Sequence, residues 1–96
     1  MIIETPYKQG DAVTLKLTSG EEIIGRFEEE GTKGVKISKP MSLTATPEGI
    51  GLAPYVFTIP ANVDLLIRDS AIVCIAKTES GMAKQYIQNT TGLQLA

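Results

Sequence analysis

Hydrophobic and polar residues alternate over short stretches through most of this chain. Val13, Leu15 and Leu17 lie on one face of an extended segment, with polar residues between them. A period of two is typical of a β-strand that is buried on one face. Gly20 suits a tight turn because glycine adopts positive φ without steric cost. A second apolar run follows at residues 22–29, so the pattern predicts a β-hairpin.

Three further strands are predicted after a polar loop that covers residues 28–34. They are expected at residues 35–43, at residues 55–67 with an interruption at 60–62, and at residues 71–77. Pro40 marks a bulge or an edge, because proline cannot donate a ladder hydrogen bond. Residues 46–51 are expected to form a flexible loop.

The last segment changes to a helical pattern. Met82, Ala83, Tyr86 and Ile87 fall on one face of a predicted helix, for which Ser80 is the expected N-cap. Gly92 is the expected stop signal. The sequence thus predicts a mainly all-β fold, a small five-stranded and strongly bent barrel at 1–79, followed by a helix and tail at 80–96.

A glycine inside the second strand has a structural explanation. Gly25 lies between Ile23 and Phe27 on the same face of the strand. Glycine inside a strand lowers stability by about 0.5–1 kcal/mol relative to alanine. Glycine relieves crowding on the concave side of a sharply curved sheet. We therefore expect the second strand to bend at Gly25.

Composition excludes several kinds of chemistry. The 96 residues include no histidine and one cysteine, Cys74, and the net charge is −2. The commonest general base and the usual zinc ligands are therefore missing, and we expect neither an enzyme nor a bound cofactor or metal. Cys74, within an apolar run, is expected to be a small buried hydrophobe. The segment MIIETPYKQG lacks the features of a signal peptide, so a cytoplasmic protein is expected.

Two motifs resemble those of the Sm/LSm (Hfq-like) family. The first is Val13-x-Leu15-x-Leu17-x-x-Gly20-x-x-Ile23-x-Gly25-x-Phe27, and the second is Ile67-Arg68-Asp69-Ser70-Ala71-Ile72-Val73. Asp69 stands where the family usually has glycine. The resemblance covers roughly residues 11–77. Within the family, the chain resembles phage-encoded members.

The resemblance implies a closed homo-oligomeric ring of about five to seven subunits. In such a ring the fourth strand of one subunit pairs with the fifth strand of the next. Pairing of this kind would protect the apolar run AIVCIAK, which is a hazardous sheet edge when bare. The expected subunit interface consists of Val63, Leu65, Ile72, Val73 and Ile75.

The resemblance also implies binding of single-stranded RNA, in a chaperone or regulatory role. The expected contacts are Arg68 and Lys33, with Thr32 and Ser70 beside them. The family's uridine pocket draws an Asp, an Asn and a stacking residue from the loop at 28–34, and none of these is present at the matching places. We therefore expect weak or altered RNA specificity.

Two alternatives stay open at this point. The guanidinium of Arg68 is as well explained by an ion pair with Asp64 or Asp69, of the same or a neighbouring subunit. The whole chain is also compatible with a ring-shaped protein-interaction scaffold that does not bind RNA and that captures a protein partner through residues 80–96.

Overall fold

The alternating segments form a bent antiparallel sheet, which one helix follows. The computed structural model describes residues 7–60 and 62–91. The strands are β1 (Ala12–Leu17), β2 (Glu22–Glu30), β3 (Gly34–Thr46), β4 (Gly49–Pro54), β5 (Leu65–Arg68) and β6 (Ile72–Lys77). A 3₁₀ turn, Asp69–Ala71, separates β5 from β6, and helix α1 (Ser80–Thr91) follows β6. The predicted all-β class with a short C-terminal helix is confirmed.

The long strand β3 organises the sheet. One side of β3 pairs with β2, and the other side pairs with two strands in succession. Residues 34–37 of β3 pair with β5, and residues 41–46 pair with β4. Strand β6 pairs with β1, so the order is β4-β3-β2-β1-β6, with β5 also on the β4 side of β3. Five of the six strands overlap the segments that the sequence predicts, and β4 does not.

The prediction for the fourth strand was wrong in its first half. Residues 55–59 alternate in the sequence but form no strand, whereas residues 49–54, which were expected to form a loop, form β4. Pairing explains the difference, because β3 continues to Thr46 and presents a ladder edge that Gly49–Pro54 satisfies. Thr46 Oγ1 also donates a hydrogen bond of 2.7 Å to the backbone oxygen of Gly49.

The core collects the alternating residues of the predicted hairpin. Its fully buried members include Val13, Leu15, Ile23 and Ile37. The remaining buried members of this cluster are Tyr7, Leu17, Phe27, Val35 and Ile67. Burying a side chain of this kind contributes roughly 1.5–3 kcal/mol. The period of two at residues 13–17 therefore selects the face of β1 that packs inward.

The sheet bends where β2 passes β3. Ile24 pairs with Met41 and Arg26 pairs with Ser38, so Gly25 alone faces two residues, Lys39 and Pro40. This is a β-bulge in β3, and a bulge increases local twist and curvature. Lys39 adopts a positive φ of 51° within it. Of the two features expected at Pro40, a bulge or an edge, the structure has the bulge.

Close packing at the bend requires glycine at position 25. A Cβ there would lie 2.7 Å from Cδ1 and 2.9 Å from Cβ of Ile37. Atoms at these separations overlap, and Ile37 is fully buried and has no room to move. The expected role of Gly25 at a bend is supported by this geometry.

Helix α1 is attached to the same bend. The hydroxyl of Tyr86 donates to the backbone oxygens of Ser38, at 3.1 Å, and Lys39, at 2.8 Å. Burial raises the pKa of Tyr86 to about 12, so the phenol stays protonated and keeps donating at neutral pH. The helix begins with the carboxylate of Glu79, whose Oε1 accepts from the Met82 amide at 2.5 Å, rather than with the Ser80 hydroxyl that was expected. The predicted stop at Gly92 lies outside the described residues.

The environment of Cys74 differs from the prediction. The thiol lies on β6 and is exposed, because Cys74 pairs with the exposed Lys16 of β1 and lies on the same outer face of the sheet. Val73 beside it is 63% exposed. The apolar character of residues 71–77 therefore does not mean that their side chains are buried within one chain. No helix of the described residues is long and apolar enough to cross a membrane.

We predict that Gly25→Ala lowers the free energy of unfolding by about 1–3 kcal/mol, and that Gly25→Val lowers it further, because each overfills the space beside Ile37. Urea titration followed by circular dichroism measures the effect. Gly51→Ala is the matched control, since a Cβ at that strand position meets only Thr44 Oγ1 at 3.5 Å and Thr46 Cγ2 at 3.9 Å, which are ordinary contacts. Equal stability of Gly25→Ala and Gly51→Ala would contradict the close contact at the bend.

Candidate nucleic-acid interface

Two segments that are distant in sequence meet at one end of the sheet. The loop at residues 31–33 connects β2 to β3, and the 3₁₀ turn at 69–71 connects β5 to β6. Gly34 and Arg68 are ladder partners, and the Asp69 amide donates to the Lys33 backbone oxygen at 3.0 Å. The pairing of β3 with β5 therefore brings the loop that carries Lys33 next to Arg68.

Gly34 permits this approach, although it was not among the predicted site residues. A Cβ on Gly34 would lie 2.1 Å from the backbone oxygen of Ile67 and 2.9 Å from Cα of Arg68. Its φ of 155° also lies in a region that side-chain-bearing residues rarely adopt. No local pattern indicates the contact, because its partner strand lies far along the chain.

The four predicted RNA-binding residues lie on these two segments. Thr32, Lys33, Arg68 and Ser70 are all exposed. Neither Lys33 nor Arg68 forms an ion pair with a described residue, so the alternative pairing of Arg68 with Asp64 or Asp69 of its own chain is not formed. Two cationic groups on adjoining segments are therefore available to an anionic ligand.

A shallow depression of about 190 Å³ extends the surface beside Lys33. Its walls include Thr32, Lys36 and Leu66, of which the last two were not predicted as site residues. Lys36 Nζ lies 3.5 Å from Glu29 Oε2, so its charge is partly neutralised. Lys36 alternates with Val35 and Ile37 along β3, and this alternation is the signal that could have placed it on the outer face.

The adjacent glutamates of β2 have separate partners. Glu29 pairs with Lys36, and Glu30 Oε1 accepts a hydrogen bond of 3.3 Å from the hydroxyl of Tyr7. Burial and the nearby carboxylate of Glu30 raise the pKa of Tyr7. No cluster of metal-binding side chains occurs in the described part of the chain.

Glu28 is oriented away from the depression by its own contacts. Ser38 Oγ donates to Glu28 Oε2 at 2.7 Å, and Gln9 Nε2 donates to Oε1 at 3.3 Å. The Ser38 hydrogen bond, followed by that of Gln9 and the charge of Arg26, lowers the pKa of Glu28 despite partial burial. This carboxylate is therefore ionised at neutral pH, and its charge is directed to Ser38 and Arg26, whose Nε lies 3.6 Å away.

The five predicted interface residues divide into two groups. Leu65, Ile72 and Ile75 are half-buried and pack partly against the core of their own chain. Val63 and Val73 are 44% and 63% exposed. Val73, on β6, therefore exposes most of its side chain, whereas Val63, just before β5, exposes less than half.

No protein-family model matches the chain, and comparison with curated proteins gives no match.

We predict that Gly34→Ala lowers the free energy of unfolding by about 3 kcal/mol or more, because it places a methyl group on the Ile67 carbonyl and also requires an unfavourable φ. Thermal unfolding by differential scanning fluorimetry measures the change. Gly31→Ala, in the same loop, is the control, since nothing lies within 4 Å of its Cβ position. A Gly34→Ala protein as stable as Gly31→Ala would show that β3 and β5 do not approach as described.

Proposed function

We propose that this chain is the subunit of an Sm-like homo-oligomeric ring that binds single-stranded RNA. The observation that carries the proposal is the meeting of the loop at 31–33 with the 3₁₀ turn at 69–71. This meeting sets Lys33 and Arg68, both without an ion-pair partner among the described residues, on adjoining segments. The motifs at 13–27 and 67–73 supply the resemblance.

The unpaired sheet edges support assembly. No described strand covers the outer edge of β6 or the outer edges of β4 and β5. Strand β6 carries exposed Val73 and Cys74 and ends in Lys77. A bare apolar edge promotes uncontrolled association, and heterologous pairing with the opposite edge of another copy removes it. Because each subunit has one edge of each kind, the pairing can repeat from copy to copy, and it forms a ring when the rotation between copies closes.

The chemistry of the two loops fits the phosphate backbone better than a particular base. Arg68 donates in a planar fork and Lys33 provides a point charge, and both suit phosphate oxygens. The hydroxyls of Thr32 and Ser70 add neutral donors. Residues 31–34 and 68–71 include no aromatic side chain for base stacking, which usually contributes about 1–3 kcal/mol per base. We therefore propose weak binding that depends strongly on salt and little on sequence.

A ring would strengthen these weak contacts. Each subunit repeats Lys33 and Arg68, so one RNA strand meets several equivalent sites at a high effective concentration. A cytoplasmic location, in a host cell if the chain is phage-encoded, belongs to the same proposal and stays a prediction from the sequence.

A second candidate is the protein-interaction scaffold without RNA binding. The missing stacking residues and the exposed carboxylates of Glu29 and Asp69 near the cations favour it. The two candidates share the ring and differ only in the ligand, so a direct RNA titration distinguishes them.

For RNA, we expect fluorescence anisotropy with a labelled U-rich 15-mer to give a Kd between about 10⁻⁴ and 10⁻⁶ M at about 50 mM salt. Arg68→Gln should weaken binding and reduce the slope of log K against log salt by about 0.7 for each phosphate that the variant no longer neutralises. Lys84→Gln, an exposed lysine of α1, removes the same charge elsewhere and should change little. A wild-type protein that forms the ring but shows no binding below about 100 μM would favour the scaffold.

For assembly, we expect light scattering to give a mass of about five to seven times 10.3 kDa. Val73→Lys should reduce the mass to that of one subunit, because it places a charge on the paired edge without disturbing the core. Lys16→Glu, an exposed change on the inner strand β1, is the control. Reaction of Cys74 with a thiol reagent should be slow in the ring and fast in Val73→Lys. A wild-type monomer at about 100 μM would contradict the assembly.

A further inference from the structure

An apolar pocket lies beside the bend, away from the residues assigned to RNA. Its volume is about 330 Å³, and Met41, Pro54, Val56, Ile59 and Val63 form much of its wall. Lys39 and Asn89 also line it. For comparison, an apolar cavity of about 150 Å³ accommodates a benzene molecule. The pocket is therefore large enough for one aromatic ring with space to spare.

The loop that borders this pocket carries the most exposed large hydrophobic residue described in the chain. Phe57 is 82% exposed. Val56 before it and Ile59 shortly after it both line the pocket, but Phe57 does not. The structure thus places an unburied phenyl ring and an apolar pocket of sufficient size next to each other on one surface.

We propose that Phe57 of one copy inserts into this pocket of a second copy, and that the second copy returns the same contact. The loop that carries the protruding phenyl group also forms part of the pocket wall, together with β3 and α1. Two copies related by a two-fold axis can therefore fill both pockets together. This is the self-complementary arrangement of an isologous interface. It uses the loop rather than strand β6, although Val63 and Leu65 of the pocket wall also belong to the expected ring interface, and it does not depend on the proposed RNA binding.

The charge of the loop favours a second copy as the occupant. Residues 54–63, PYVFTIPANV, contain no charged side chain. In a two-fold contact each residue near the axis meets its own copy, and like charges there repel. An uncharged loop avoids this repulsion, and depletion of charge is typical of the core of a protein interface. RNA, by contrast, would require more cations than the single Lys39 at the pocket.

The buried area predicts weak association. A phenylalanine buries about 150–250 Å², and two rings with the pocket walls that receive them bury roughly 600–1,000 Å² in total. Stable dimers usually bury about 1,200–2,000 Å². We therefore expect the contact to form at protein concentrations of about tens to hundreds of micromolar. It should double the mass of the assembly that pairing at the β6 edge forms.

Phe57→Trp gives a direct test, because the chain has no tryptophan. Its emission should shift to the blue as concentration rises from about 1 μM to about 1 mM, as the indole enters a second copy. Glu48→Trp, at the exposed β3–β4 turn, is the control and should emit as exposed tryptophan throughout. Blue-shifted emission at every concentration would mean that the indole occupies the pocket of its own chain. Red-shifted emission at every concentration would mean that the indole stays in solvent. Either result overturns the proposal.

Variants on both sides of the contact test its reciprocity. Sedimentation equilibrium should show the doubling of mass in the wild type, and Phe57→Ser and Ile59→Lys should each move it to at least about tenfold higher concentration. Ile59 lines the pocket and is not one of the expected ring-interface residues. Mixing the two variants should restore part of the association, because the pocket variant keeps the Phe57 side chain and Phe57→Ser keeps the pocket. Val73→Lys should leave the doubling intact. Unchanged association of Phe57→Ser contradicts the proposal even where the β6 edge assembles as expected.

Discussion

The close packing of Gly25 against Ile37 is the contact on which the rest of the structure depends. A side chain at position 25 would overlap Ile37, so glycine allows β2 and β3 to cross closely. Opposite it, β3 takes up the extra residue at Lys39–Pro40. The Tyr86 hydroxyl binds the Ser38 and Lys39 carbonyls, and the Tyr55 amide donates to the Pro40 oxygen at 3.2 Å. The bend is thus held from both sides.

The two proposed surfaces lie along β3, on either side of this bend. Before the bend, β3 pairs with β5 and brings Lys33 to Arg68. After the bend, β3 pairs with β4, and the uncharged residues 55–59 lie beside an apolar pocket. Curvature also leaves the β6 edge and the β4–β5 edge without partners in the described residues. One local contact therefore determines which chemistry the molecule exposes at each end.

The sequence pattern correctly predicted the features that depend on residues close together along the chain. Alternation placed residues 13–17 and 22–29 in paired strands, and the unusual glycine indicated the bend. Pairing between distant segments was not visible: residues 49–54, rich in glycine, became β4 because β3 offers them a ladder, while the alternating residues 55–59 have no strand to pair with among the described residues. The same reason explains why Gly34 was missed and why Cys74 was expected to be buried, since each depends on the position of another strand.

The central claim is that the edge which this curvature leaves open on β6 is paired by another copy of the chain. Hydrogen exchange measured by NMR or mass spectrometry at about 100 μM tests it most directly. The account predicts that the β6 amides facing away from β1 are protected nearly as well as those of β1 and β2, and that dilution removes this protection. Free exchange of those amides at the same concentration, with β1 and β2 still protected, would contradict it.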